Sequence, residues 1–201
     1  AITTVASIAI QGIRQAELTF GETAVVIGLG LIGQLTMQIL EASGIKAIGV
    51  DISQAQVDLA NKIGIGKSYL RNREDLEGVI KELTKGYGAD AILITAGTSS
   101  LDPVEFAGAI ARRKAKVVIV GAVPTGFSRN FYFKKELDLR MSCSYGPGRY
   151  DRAYEEKGID YPYEYVRWTE NRNMESYIEL IERNKLVLEP LVTHVFEFED
   201  A

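Results

Sequence analysis

Thr23-Ala24-Val25-Val26-Ile27-Gly28-Leu29-Gly30-Leu31-Ile32-Gly33 is a short β-branched apolar run that leads straight into G-x-G-x-x-G. Apolar residues without polar alternation indicate a strand buried on both faces. The apolar sequence after the glycines reads as a helix over Leu31–Ala42, with Gly44 at its C-terminal end. The next strand, Ala47–Val50, is followed at once by Asp51, about 20 residues beyond the first glycine, the spacing of a dinucleotide-binding unit. Each position has a physical task in that unit. Gly28 permits the turn out of the strand, Gly30 lets backbone approach a pyrophosphate, and Gly33 allows close helix–strand packing. The start of the helix offers free N–H groups and the positive end of its dipole. Asp51 can accept both hydroxyls of an adenosine ribose and would repel a 2′-phosphate, which points to NAD rather than NADP. Two other readings stay open at this level: a glycine turn kept for packing alone, and the similar Gly-rich loop and acid of S-adenosylmethionine-dependent methyltransferases.

The rhythm continues outward. Val5, Ile8, Ala9, Ile13 and Ala16 recur at helical spacing before the first strand. After Asp51, Ser53 and Gln56 give a capping-box signal for a helix running to Ile63. Lys67–Leu70 reads as a third strand, and Leu76, Val79, Ile80 and Leu83 form the stripe of the next helix. Ala91–Thr95 is expected to be strand four. Asp102-Pro103 with Glu105 predicts a capped helix start, with that helix reaching Ala111. Val117–Val120 and Leu137–Cys143 complete six strands. Strands and helices in alternation predict an α/β fold: a doubly wound parallel sheet of order 3-2-1-4-5-6, with ligands at the carboxyl ends of the strands. Candidate cofactor-binding residues are therefore Gly28, Gly30, Leu31, Ile32 and Gly33, then Asp51 and Ile52, then Thr95, Ala96 and Gly97, and finally Gly121, Ala122 and Val123.

After Gly146 the pattern changes. Six of the ten tyrosines lie between Tyr145 and Tyr165, interleaved with Arg149, Arg152, Asp151, Glu155 and Glu156, so this stretch is not another strand–helix unit. It can line a polyol-like pocket, form an interface, where Tyr, Trp and Arg are enriched, or pack as a surface loop. Met174, Tyr177, Ile178 and Ile181 mark a further helix, and Val192–Phe198 is expected to be a last strand.

Length and composition set limits. The chain has 201 residues, 46% hydrophobic and 25% charged, as for one globular domain with an appendage. A net charge of −4 gives no reason to expect nucleic acid as a partner. No apolar run approaches the ~20 residues of a membrane span, so no membrane is expected either. No signal peptide is visible, and a reducing cytoplasm is the expected location. Cys143 and His194 are the only cysteine and histidine, too few for a zinc site within the chain. Cys143, between apolar strand positions, is expected to be a buried inert thiol, and His194 to be structural or superficial. No tyrosine is followed by lysine four positions on, which removes the Tyr-x-x-x-Lys base of short-chain dehydrogenases.

Taken together, Ile10-Gln-Gly-Ile-Arg-Gln-Ala16, the Thr23–Gly33 turn, Val50-Asp-Ile-Ser53 with Leu59-Ala60, Gly88-Ala-Asp-Ala-Ile-Leu-Ile-Thr-Ala-Gly97 and Lys185-Leu-Val-Leu-Glu-Pro-Leu-Val-Thr-His-Val-Phe196 resemble the cofactor domain of medium-chain (zinc-type) alcohol and polyol dehydrogenases. The resemblance covers nearly the whole chain except roughly Tyr150 to Tyr165. Tyr145-Gly-Pro-Gly-Arg149 and Arg167-Trp-Thr-Glu-Asn-Arg-Asn-Met174 further resemble bacterial two-part oxidoreductases, which join such an enzyme to a sugar-oxidoreductase-type Rossmann module.

The resemblance implies a single NAD(P)-binding Rossmann domain over 1–201, with 147–168 as an insertion and 192–201 as the return to a catalytic domain outside this chain. That catalytic domain of the same polypeptide would be its first partner and the place for any zinc. A homo-oligomer is implied as well. The reaction implied is hydride transfer between NAD and an alcohol, polyol or sugar, with no catalytic residue in this chain and no activity from the isolated domain. A non-catalytic dinucleotide-binding or assembly module is the alternative.

Overall fold

A computed structural model describes residues 2–197 and 199. Helix α1 (Thr3–Ala16) precedes five strand–helix units: β1 (Thr23–Ile27) and α2 (Leu31–Ala42), β2 (Lys46–Asp51) and α3 (Gln54–Ile63), β3 (Lys67–Leu70) and α4 (Leu76–Leu83), β4 (Ala89–Ile94) and α5 (Asp102–Ile110), β5 (Ala111–Ile119) and α6 (Arg129–Lys135). Strand β6 (Asp138–Met141), the short helix α7 (Arg152–Glu155), α8 (Glu170–Glu182) and a 3-10 turn at Glu189–Leu191 follow. All five strand pairings are parallel, in the order β3-β2-β1-β4-β5-β6. This is the doubly wound, Rossmann-type α/β sheet expected from the sequence.

Alternation along the strands explains the two covered faces. Val25 and Ile27 of β1 join Ile92 and Ile94 of β4 and Val117 and Ile119 of β5 beneath α4, α5 and α6, through Ile80, Phe106 and Tyr132. Ala24 and Val26 join Ala91, Leu93 and Val118 beneath α1, α2 and α3, through Ala16, Met37, Leu40 and Val57. Helix α8 forms an outer layer: Tyr177 packs on Ala6, Ala9 and Ile10 of α1 and on Leu35 and Ile39 of α2. Full burial of each large apolar side chain contributes roughly 1.5–3 kcal/mol, so β1, buried at all five positions, is the centre of the fold. No helix among the described residues is long and apolar enough to cross a membrane.

Several local expectations are corrected. Ser53 precedes α3 in an extended conformation but makes no side-chain cap, and its N–H, which a capping-box Gln56 would take, is bonded instead by the Asp51 carboxylate at 2.7 Å. Asp102 is the first helical residue of α5 rather than its cap, and its carboxylate is paired with Arg71. Strand β5 begins at Ala111, earlier than Val117, since Arg112-Arg113-Lys114 form its water-facing start. Helix α6 carried no apolar stripe. It is held by Ser128, which accepts the Asn130 N–H, by the Tyr132 hydroxyl on the Val104 carbonyl, and by Lys135 Nζ, which donates to three carbonyls at the end of α5.

Cys143 is exposed rather than buried: β6 is an edge strand, and its neighbours Leu139 and Met141 are exposed too. Residues 192–197 form no strand, because no described strand lies beside them and Val195 and Phe196 stand in solvent; Phe198 lies outside the described residues. His194 is exposed, with Nδ1 2.9 Å from the Thr193 hydroxyl.

Part of the tyrosine-rich segment is packed. The Tyr154 hydroxyl donates to Thr169 Oγ1 at 3.0 Å, its ring stacks on Tyr161, and the Tyr161 hydroxyl donates to Asp151 Oδ2 at 2.5 Å. Trp168 lies between the guanidinium groups of Arg14 and Arg167, 3.2 and 3.7 Å from its ring centre. Tyr150, Tyr163 and Tyr165 remain exposed.

Candidate cofactor crevice

The winding of the sheet reverses between β1 and β4, and their carboxyl ends flank a crevice of about 480 Å³. Such a reversal is where open α/β sheets bind their ligands, and the volume is in the range of small-molecule sites. One side is the glycine turn, from Ile27 and Gly28 to Gly30. The second is Val50, Asp51 and Ile52 after β2, with Arg71 after β3. The third is Thr95 to Thr98 after β4, continuing to Ser100, Asp102 and Pro103.

The three glycines of the turn are required for three different reasons. Gly28 has φ +98°, a left-handed backbone that only glycine adopts without strain, and a Cβ there would lie 2.6 Å from the Ala96 nitrogen. A Cβ on Gly33 would overlap the carbonyl oxygen of Gly28, so that glycine serves helix–strand contact. Gly30 is unlike both. Its backbone, φ −63° and ψ −169°, suits any residue, and a Cβ there would meet nothing within 4 Å. Nothing in the protein demands glycine at this position, and the space beside it is open.

Helix α2 starts at the same place with no side-chain cap. Gln34 N–H is the first to bond back, to the Gly30 carbonyl, and among the described residues nothing accepts from the N–H groups of Leu31, Ile32 and Gly33. These donors and the positive end of the helix dipole adjoin Gly30, which lines the crevice, an arrangement suited to an anion.

The turn is held rigidly. The Thr95 hydroxyl donates to the Gly28 carbonyl at 2.5 Å, and the Thr95 and Ala96 N–H groups bond the Ile27 carbonyl. Gln34, buried on α2, donates to the carbonyls of Leu29 and Gln56 and so ties the turn to α3. The Asp51 carboxylate accepts from Leu29 N–H at 2.5 Å and from Ser53 N–H at 2.7 Å. Each carboxylate oxygen retains capacity for a second donor, such as a ribose hydroxyl.

Of the residues singled out from the sequence, Gly28, Gly30, Asp51, Ile52, Thr95, Ala96 and Gly97 line the crevice together. Leu31, Ile32 and Gly33 form the helix start beside it. Gly121, Ala122 and Val123 lie outside its lining. Gly121 presses on the Ala96 carbonyl, Ala122 accepts from Thr98 N–H at 2.9 Å, and Val123 packs on the core beneath α5. The sequence reading missed Arg71, Thr98, Ser100 and Asp102, which no local pattern marks. Gln34 had a faint signal, an amide on the buried side of an apolar helix.

A family described as zinc-binding dehydrogenase matches residues 32–160. D-Guloside 3-dehydrogenase of Escherichia coli (strain K12) is 30% identical over 202 residues, covering 98% of this chain and 53% of that protein. A probable D-xylulose reductase A of Emericella nidulans is 26% identical, covering 96% of this chain and 49% of that protein. Among solved structures, galactitol-1-phosphate dehydrogenase from Escherichia coli superposes with a TM-score of 0.77 at 22% identity, over 98% of this chain and 53% of that one. A protein described as a short chain alcohol dehydrogenase from E. coli CFT073, determined with NADH, gives 0.74 at 20% identity, over 98% and 51%. The chain spans about half the length of the curated relatives it matches.

Proposed function

This chain belongs to the zinc-binding dehydrogenase family, as its nicotinamide-dinucleotide-binding domain, and from that premise we propose that its crevice takes NAD(H) in preference to NADP(H). Family membership removes the methyltransferase alternative. The observation that carries the proposal is Gly30, a glycine with no steric or conformational need inside the protein, set where unpartnered helix N–H groups face open space. A pyrophosphate fits that space: it brings charge to the helix start and needs backbone, not side chain, against it. On this reading Gly28 to Gly33 hold the pyrophosphate, Asp51 accepts the adenosine ribose hydroxyls, and Ile52 and Thr95 to Gly97 bound the adenosine side. Gly121 to Val123 would approach the nicotinamide.

When bound, the cofactor supplies the hydride acceptor or donor. The residues of this chain bind and orient. Asp51 fixes the ribose while bracing Leu29 N–H, and Thr95 keeps the Gly28 carbonyl turned in so that the donors of α2 point outward. The whole protein would transfer hydride between NAD and an alcohol, polyol or sugar carbon, as the names of the relatives suggest. The substrate groups and any zinc would come from a catalytic domain of the same polypeptide, reached through 192–201, and the isolated domain would be inactive. The 147–168 stretch reads as an insertion. The Tyr145–Arg149 and Arg167–Met174 resemblance supports a second, sugar-oxidoreductase-type module in the same chain. A cytoplasmic homo-oligomer that engages neither nucleic acid nor membrane completes the reading.

Calorimetric titration of the protein, carrying its natural flanking sequence, with NADH and with NADPH tests the proposal. One saturable NADH site with weaker NADPH binding is expected. Absence of NADH binding by folded protein contradicts it. A protein that binds NADH but oxidises no alcohol, polyol or sugar would be a binding or assembly module instead.

A further inference from the structure

Three charged residues line the crevice: Asp51, Arg71 and Asp102. The single cation among them is not free. Arg71 Nε donates to Asp102 Oδ2 at 2.9 Å and Nη2 to Oδ1 at 2.7 Å, a two-pronged pairing of fork and carboxylate. The guanidinium also lies 3.9 Å over the ring of Phe106, which is buried in α5, so the fork is held from beneath as well as from its end.

The location of the pair matters. Arg71 N–H donates to the Asp51 carbonyl at 2.7 Å, so the arginine leaves β3 beside the residue that faces the ribose. Its side chain then crosses toward the start of α5 instead of standing at the ribose edge. An arginine fork recognises phosphate by the same paired geometry with which it recognises carboxylate. A 2′-phosphate and Asp102 would therefore compete for one fork.

We propose that the Arg71–Asp102 pair sets the cofactor preference of the crevice: Asp102 occupies the one cation that lines it among the described residues, and so acts with Asp51 to exclude NADP(H). This inference rests on the NAD(H) reading above. Asp51 repels the phosphate directly, while Asp102 withholds its counter-charge. Asp102 is a specificity-determining residue that acts through Arg71 and has no part in hydride transfer. It also explains why an acid at the first position of α5 is turned away from the helix's own N–H groups.

The test is calorimetric titration of NADH and NADPH into wild type, D102N and R71Q/D102N, each with its natural flanking sequence. D102N removes one negative charge and frees the fork, so the affinity ratio of NADPH to NADH should rise about tenfold, with NADH affinity changed far less. In R71Q/D102N the gain should vanish. Should D102N not fold, D102S, a residue well suited to a helix start, gives the same readout. Wild type that prefers NADH, with an unchanged ratio in D102N or D102S, overturns the role of the pair and leaves the NAD(H) reading standing. A gain that survives in R71Q/D102N overturns it too, since Arg71 would not be the phosphate partner. Wild type that binds neither cofactor, or binds both equally, overturns the NAD(H) reading itself.

Discussion

Asp51 does two jobs with one carboxylate. It braces the glycine turn through Leu29 N–H and the start of α3 through Ser53 N–H, and on the proposed function it receives the ribose. Asp51→Ala should therefore lower NADH affinity by about 1–3 kcal/mol, the range for losing charge-assisted hydrogen bonds, as measured by calorimetry. At this scale the sequence was legible wherever one residue answers one local demand. Gly28 answers a left-handed turn, Gly33 a helix pressed on a strand, and Asp51 the end of β2. Arg71 and Asp102 were illegible because their meaning is a distance in space between the ends of β3 and β4, which no spacing in the chain encodes. Gly121 must be glycine for its contact with the Ala96 carbonyl whether or not it also approaches the cofactor, so its identity alone does not mark a binding residue.

The central strands β1, β2 and β4 were legible because burial on both faces of a sheet leaves an uninterrupted apolar signature. The elements that were not legible draw their stability from tertiary partners. Helix α6 is fixed by Tyr132 and Lys135, and β5 starts with charged residues that reach water at the amino end of the strand. Helix α8 was read from Met174, Tyr177, Ile178 and Ile181; of these Tyr177 brings a large, nearly fully buried ring to α1 and α2, while Ile178 and Ile181 are exposed. Tyr177→Ala should lower unfolding free energy by about 3–5 kcal/mol, read in a denaturant titration, with loss of hydrogen-exchange protection across α8. The tyrosine-rich segment makes a prediction with pH. The Tyr161 hydroxyl bond, then the Ala153 N–H, holds the Asp151 carboxyl below its ordinary value. A depressed carboxylate stabilises above its unfolded pKa of about 3.9 and loses that contribution as pH falls through the folded value. The segment should therefore stay ordered to below about pH 4 and loosen beneath that. In Y161F the loosening should begin at higher pH, followed by NMR of the segment's amide signals; an unchanged midpoint would contradict the assignment.

For the whole molecule, a dinucleotide cradle and a half-length match belong together. The crevice brings together free N–H groups at the start of α2, the Asp51 carboxylate and the Arg71–Asp102 pair. Among the described residues no cluster of three or more His, Cys, Asp or Glu side chains is placed to hold a metal. In the proposed function, chemistry at the substrate is assigned to residues outside this chain, which spans about half the length of its relatives. The exposed edge of β6, with Leu139, Met141 and Cys143, and the exposed Tyr150, Tyr163 and Tyr165 are the surfaces available to the proposed partners. The central claim, that Gly30 is glycine for the sake of a bound pyrophosphate, is tested most directly by Gly30→Ala, titrated with NADH and melted without it. A Cβ there meets only open space, and alanine costs a helix start about 1 kcal/mol at most relative to glycine, so the thermal midpoint of the free protein should barely move. NADH affinity should fall at least about tenfold, or roughly 1.4 kcal/mol, because the methyl group stands where the pyrophosphate must lie. Undiminished NADH affinity in a folded Gly30→Ala protein would contradict the claim.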